Sequence, residues 1–193
     1  TPQATSHKLQ ADKEYFLVVS RVVGGKGLGM AIEAANLLKV PLKVVGTGAG
    51  WSKEEERIRQ AAGPTVEFLG FVDDGQLAEL YAGAKAFLAL AKDEDFGITP
   101  VEAMMAGTPV IAYGGGGYLE TVVEGKTGMF FKDYSVEGLV EAMRRIQATC
   151  YKPQAIKEQA EKFSKERFVK EMSRFVEEKW RKHSDSFVNH SHK

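Results

Sequence analysis

The sequence holds a single cysteine, four histidines and no excess of either charge. Cys150 has no partner for an internal disulfide, which fits a reducing, cytoplasmic setting and makes it a plain small side chain. The histidines, His7, His183, His190 and His192, lie near the ends of the chain, so no His/Cys cluster with metal-ligand spacing is present and no metal is expected. Twenty-six Lys plus Arg balance twenty-six Asp plus Glu. No overall field therefore draws the chain to nucleic acid or an anionic membrane, and any anion site has to be local. No apolar run approaches the roughly 18 residues that would span a bilayer. The start "TPQATSHKLQ" also lacks a signal-peptide core. A first residue of Thr1 rather than Met suggests a processed or excised segment.

What is present is enough apolar material, 44% of 193 residues, for one globular domain able to fold alone, with at most an appendage. Short apolar runs read as buried strands: "YFLVVS" (15–20), "PLKVVG" (41–46), "VEFLG" (66–70), "KAFLAL" (85–90), "PVIAY" (109–113) and "GMFF" (128–131). Helical patterns separate them: "GMAIEAANLLK", "KEEERIRQAA", "DDGQLAELYAGA", "PVEAMMA" and "YLETVVE". Strand and helix in alternation imply right-handed crossovers, hence an α/β fold with a doubly wound parallel sheet of about six strands. The core is expected over about residues 15–150. A helical extension over about 151–182 and a frayed tail "SDSFVNHSHK" follow, all within a single domain of residues 1–193.

Four glycine-rich spots invite nucleotide readings. "GGKGLG" (24–29) lacks the Ser or Thr after Lys26 that a Walker loop needs, and its glycine spacing is wrong. "VVGTGAG" (44–50) is one residue short of the dinucleotide fingerprint and follows the second strand, so a tight turn is the plainer reading of Gly46, Gly48 and Gly50. "YGGGGYLE" (113–120) either cradles an oxygen-rich ligand or merely turns. In "EDFGITP" (94–100) Gly97 relieves crowding before a helix.

That helix start has the form of a capping box: Thr99 at N-cap, Pro100 at N1 and Glu102 at N3, a purely local role for Glu102. Upstream, Glu94 and Asp95 sit where exposed N–H groups and the helix dipole favour an anion. Acids beside an anion site are costly. They make sense where the ligand also presents hydroxyls, since ionised carboxylates only accept hydrogen bonds. Arg21, after the first strand, and Lys26, at the start of the next helix, reach the same rim, and two fixed cations suit a diphosphate. A solvated loop is their ordinary alternative.

"SRVVGGKG", "VVGTGAG", "VEFLGFVDDGQLAELYAGA", "EDFGITPVEAMMAGTPVIAYGGGGYLETV" and "GKTGMFF", collinear and at this spacing, resemble the carboxyl-terminal, donor-binding half of a retaining GT-B glycosyltransferase of family four (group 1). The similarity is greatest to the mannosyltransferase-like branch. It is dense over about Tyr15 to Phe131 and loose to about Trp180. The resemblance implies transfer of a hexose, mannose favoured, from a nucleotide diphosphate sugar to an acceptor hydroxyl with retained configuration. GDP-sugar is favoured as donor, UDP-sugar is the alternative, and neither cofactor nor metal is required. Glu94 is assigned to the transferred sugar's hydroxyls, Glu102 to the ribose hydroxyls, and Arg21 and Lys26 to the diphosphate. Backbone N–H groups from Phe96, Gly97, Ile98 and Thr99 meet phosphate and sugar oxygens, while Phe71 and Val72 edge the base.

Departures from the family accompany these assignments. The family's amino-terminal acceptor domain, with its catalytic histidine, is not in this sequence, so the chain alone is expected to bind donor with little turnover and to need that domain or a separate partner chain. The resemblance allows peripheral membrane association of the full enzyme. Many relatives carry proline before the acidic segment; here "LALAKDED" stands instead, so the loop bearing Glu94 is expected to be set differently. Phe168, Met172, Phe175, Val176 and Trp180 form an apolar stripe, expected to pack on the domain's own sheet, with part of it a docking surface if the last helix crosses to the other domain as in the family. A Rossmann-type oxidoreductase and a noncatalytic nucleotide-sugar-binding subunit remain as other classes.

Overall fold

A computed structural model describes residues 13–23, 25–48 and 53–190, with side chains described to residue 184. Gly24, Gly50, His7, His192 and the amino-terminal segment thus lie outside the described residues, as does the His190 side chain. The chain divides into two compact units, one ending at Ala160 and the other beginning at Glu161.

In the first unit six strands, β1 (Tyr15–Val19), β2 (Leu42–Val45), β3 (Val66–Gly70), β4 (Ala84–Ala89), β5 (Val110–Tyr113) and β6 (Gly128–Phe131), form one sheet in the order β3-β2-β1-β4-β5-β6. Each adjacent pair is parallel. The helices between them are α1 (Leu28–Leu38), α2 (Lys53–Gln60), α3 (Asp74–Gly83), α4 (Ile98–Met105) and α5 (Tyr118–Thr121), followed by α6 (Val136–Gln147) and α7 (Pro153–Ala160). α1 and α6 pack together on one face, and α3, α4 and α7 cover the other.

Strands covered on both faces have no polar side to present, and so appear in the sequence as unbroken apolar runs. Leu17, Val18, Phe87, Leu88, Val110 and Ile111 are all fully buried at the centre of the sheet. Strand order reverses between β1 and β4. There the two loops leaving the strand carboxyl ends diverge and leave a crevice.

Two local expectations are corrected. The capping box predicted at Thr99 does not form: α4 begins at Ile98 behind Gly97, which is left-handed (φ 84°) and gives no side-chain cap. A side chain at Gly97 would meet Tyr118 Cε1 at 2.8 Å, so packing against a residue 21 positions away in sequence decides where the helix begins. A true capping box occurs instead at α3, where Asp73 accepts from the Gln76 N–H at 2.8 Å and the Gln76 side chain accepts from the Asp73 N–H at 3.3 Å. The "YLETVVE" helix stops after one turn, because Glu124 is drawn into a bridge with Gly128 ahead of β6.

The second unit holds a 3-10 turn (Glu161–Phe163) and α8 (Lys165–His190). Backbone predicted to fray is helical to His190. Along α8, Glu171 and Arg167, and Glu178 and Lys182, form i,i+4 pairs at 2.7 Å. Nothing within this unit covers the apolar stripe, whose exposure runs from Met172 at 45% to Trp180 at 70%.

Candidate functional site

At the reversal of strand order lies an open cavity of about 370 Å³, lined by Ser20 and Arg21 just after β1, by Leu90, Ala91 and residues 94–99 after β4, and by Lys26 and Tyr118. Of the residues singled out in the sequence, Arg21, Lys26, Glu94, Phe96, Gly97, Ile98 and Thr99 therefore meet at one surface. They do so because each follows a strand end or opens a helix on the same rim.

Lys26 Nζ donates to Glu94 Oε2 at 3.1 Å, and both side chains keep access to solvent (31% and 26% exposed). A pair this wet contributes at most about 1 kcal/mol, so a ligand can exchange it. Behind Glu94 stands Tyr118, 4% exposed. Burial first, then the neighbouring Glu94 charge, push the Tyr118 phenol above its ordinary range, partly offset by the Ala91 backbone, so the hydroxyl keeps its proton. The start of α4 presents its first N–H groups to the cavity with no side-chain cap, the arrangement that suits an anion.

The glycine run after β5 does not act as a turn alone. Gly117 N–H donates to the Glu94 carbonyl at 2.8 Å, fixing the loop that carries the carboxylate. Gly117 has an ordinary helical φ of −62°, so conformational freedom is not why glycine stands there. A Cβ would collide with the Asp95 carbonyl oxygen and Phe96 Cα, and would lie 2.6 Å from Phe96 N; the position is glycine to admit backbone against backbone.

Other expected residues lie off this cavity. Glu102 sits one turn into α4, exposed, with Oε2 accepting from the Tyr81 hydroxyl at 2.8 Å. Phe71 is 84% exposed beyond β3, and Val72 lines a separate shallow depression with Tyr15, Lys43 and Gln76. Sequence reading missed Tyr81 and Tyr118. Tyr118 directly follows the glycine run, which is a usable signal; Tyr81 falls at a helical position indistinguishable from core.

A group 1 glycosyl transferase family model matches residues 2–163. The chain belongs to the glycosyl transferases group 1 family. Among curated relatives, a glycogen synthase of Xanthomonas axonopodis pv. citri is 32% identical over 135 residues, 67% of this chain and 28% of the relative. One of Thermodesulfovibrio yellowstonii is 32% identical over 133 residues, 66% of this chain and 27% of the relative. The chain thus spans under a third of the length of these two family members. Among solved structures, sucrose-phosphate synthase from Thermosynechococcus elongatus superposes with a TM-score of 0.76 at 27% identity, covering 92% of this chain and 49% of that one. The doubly wound parallel fold is that of these GT-B enzymes. Among the described residues no helix is long and apolar enough to cross a membrane, and no group of three or more His, Cys, Asp or Glu is placed to hold a metal.

The buried and half-buried phenols of this family member give a pH prediction. Tyr15, Tyr81, Tyr118, Tyr134 and Tyr151 are all raised above the ordinary 10.0, with burial the leading cause. Above that pH the unfolded chain releases these protons while the fold retains them, so stability is fully present below pH 10 and is lost as pH rises further. Lys13, lowered from 10.5 by burial and then by Lys157, works in the opposite direction just below 10.5, one group against five. The urea midpoint is expected to fall between about pH 10 and 11. A flat midpoint across that window would contradict the assignment.

Proposed function

We propose that the chain is the donor-binding half of a retaining group 1 glycosyltransferase, holding a nucleotide diphosphate sugar at the reversal of strand order. Arg21 and Lys26 take the diphosphate, Glu94 the transferred sugar's hydroxyls, Glu102 the ribose, and the amides opening α4 take phosphate and sugar oxygens. Phe71 and Val72 flank the base at the outer edge. As the glycosidic bond breaks, negative charge gathers on the leaving diphosphate. Fixed cations and helix amides already oriented toward it stabilise that charge without reorganising, and no metal is invoked. Acceptor binding belongs to the part of the relatives that this chain does not span, so the chain alone binds donor with little turnover. A cytoplasmic setting suits such a donor.

The observation that carries this reading is the convergence of two cations, a carboxylate and an uncapped helix start on one cavity at the strand-order reversal. A diphosphate alone would explain the cations and the amides, but not Glu94; a sugar diphosphate explains all of them. The mannose and GDP preference implied by the resemblance has no counterpart in the names of the relatives reported above, glycogen synthases and a sucrose-phosphate synthase. The decisive experiment is isothermal titration of the chain with GDP, UDP, ADP, GDP-mannose, UDP-glucose and NAD. Saturable binding of one nucleoside diphosphate series is expected and names the base. Binding of NAD alone, or of nothing, would sink the proposal.

A further inference from the structure

Glu102 projects from the exposed side of α4, where an isolated glutamate would sample many rotamers. It does not do so freely, because the Tyr81 hydroxyl donates to its Oε2 at 2.8 Å. Tyr81 is itself immobilised. It is 3% exposed, its ring lies against Phe87 at 5.8 Å between centroids, and its backbone carbonyl accepts from Thr108 Oγ1 at 2.6 Å, which in turn accepts from Lys13 Nζ at 3.1 Å. A phenol buried this deeply needs an acceptor for its proton. The acceptor here is a carboxylate at the surface rather than a core carbonyl, so the hydrogen bond ties a solvent-facing group to the rigid interior.

We propose that Tyr81 is the positioning residue for ribose recognition: it holds the Glu102 carboxylate in the orientation that accepts both ribose hydroxyls. This rests on the donor-binding reading above. With Tyr81 occupying one lone pair of Oε2, Oε1 and the remaining lone pair of Oε2 stay open, the two acceptors that a vicinal diol with two O–H donors requires. Burial, the hydrogen bond and the Glu102 charge all keep the phenol protonated, so its direction of donation does not change across the pH range in which the protein is folded. The rotamer freedom that ligand binding would otherwise remove is gone before the ligand arrives.

The test is titration of the wild-type chain and of Tyr81→Phe with GDP and UDP and with their 2′,3′-dideoxy counterparts. Tyr81→Phe is expected to weaken the ribonucleotide about 3- to 10-fold and leave the dideoxy compound unchanged, so that preference for the ribonucleotide contracts. In a Glu102→Ala background the same substitution is expected to add nothing. Equal weakening of both ligands, an unchanged preference, or a further loss in the Glu102→Ala background would each overturn the assignment. A second variant, Glu102→Asp, withdraws the carboxylate from the phenol by one methylene at an exposed position where folding is not at stake. It should reproduce the contraction, and an intact preference there would equally overturn the assignment. Wild-type chain that binds no nucleotide would remove the donor-binding reading itself. Wild-type chain that binds ribose and dideoxy forms alike would leave that reading standing and remove only the ribose role on which Tyr81 acts.

Discussion

Gly117→Ala is expected to cripple the site and destabilise the fold together. The new methyl group meets backbone on every side, Asp95 and Phe96 of the loop bearing Glu94, and backbone has no flexible end to yield. Overpacking of this kind costs about 1–3 kcal/mol, readable as a lower urea midpoint at unchanged slope. The loop relieves the collision by moving outward, which breaks the Gly117 hydrogen bond to Glu94 and carries the carboxylate away from Lys26. A displacement near 1 Å at a catalytic constellation costs about 100-fold in rate, and a loss of nucleotide-sugar affinity of about one to two orders of magnitude is expected here. Gly29→Ala is the control. A Cβ at Gly29 meets nothing within 4 Å, and the position is helical, so that variant should be neutral or more stable by about 0.5–1 kcal/mol. If Gly117→Ala behaved like Gly29→Ala, the close approach described here would have no energetic meaning.

The second large effect concerns the cations. Hydrogen bonds from a charged donor are worth about 1.5–3 kcal/mol, so Arg21→Ala and Lys26→Ala should each weaken nucleoside diphosphate binding by about 10- to 150-fold. The two losses should differ in kind. Arg21 is exposed, and its contribution should shrink as salt is raised. Removing Lys26 also strips Glu94 of its counter-charge and leaves a carboxylate facing the diphosphate, so Lys26→Ala should be the more damaging of the two. Adding Glu94→Gln to Lys26→Ala should restore part of the affinity for the bare nucleoside diphosphate, though not for the sugar-bearing donor. Titration of the four proteins at two salt concentrations measures this. Wild-type affinity in either cation variant would remove that cation from the diphosphate.

Much of the architecture was legible because a sheet buried on both faces must be written in continuous apolar runs. "VEFLG" became β3 and "GMFF" became β6 without change of limits, and the other strands differ from their runs by a single residue at one or both ends. Convergence of Arg21, Lys26 and Glu94 was legible for a related reason: in a parallel sheet every strand ends on the same rim. The start of α4 was not. Residues 99–102 carry the local form of a capping box, and the Tyr118 ring, brought in by the sheet, overrides it through Gly97. Tyr81 and Glu102 are 21 residues apart and meet because α3 and α4 pack side by side, a fact of helix packing that neither segment's own pattern contains. The glycine run was ambiguous for the same cause, since what Gly117 makes room for lies in another loop.

The Lys26–Glu94 pair means that the site carries its own counter-ion. On the donor reading, an arriving diphosphate must take Lys26 from Glu94, and the carboxylate thus released needs new hydrogen-bond donors near at hand. A hexose supplies several neutral O–H donors, whereas bare phosphate and pyrophosphate bring anionic charge against the carboxylate. On that reading the ion pair would act as a filter on what the diphosphate is attached to, raising the threshold for bare anions, while a sugar-bearing nucleotide would satisfy both halves of the pair in a single exchange.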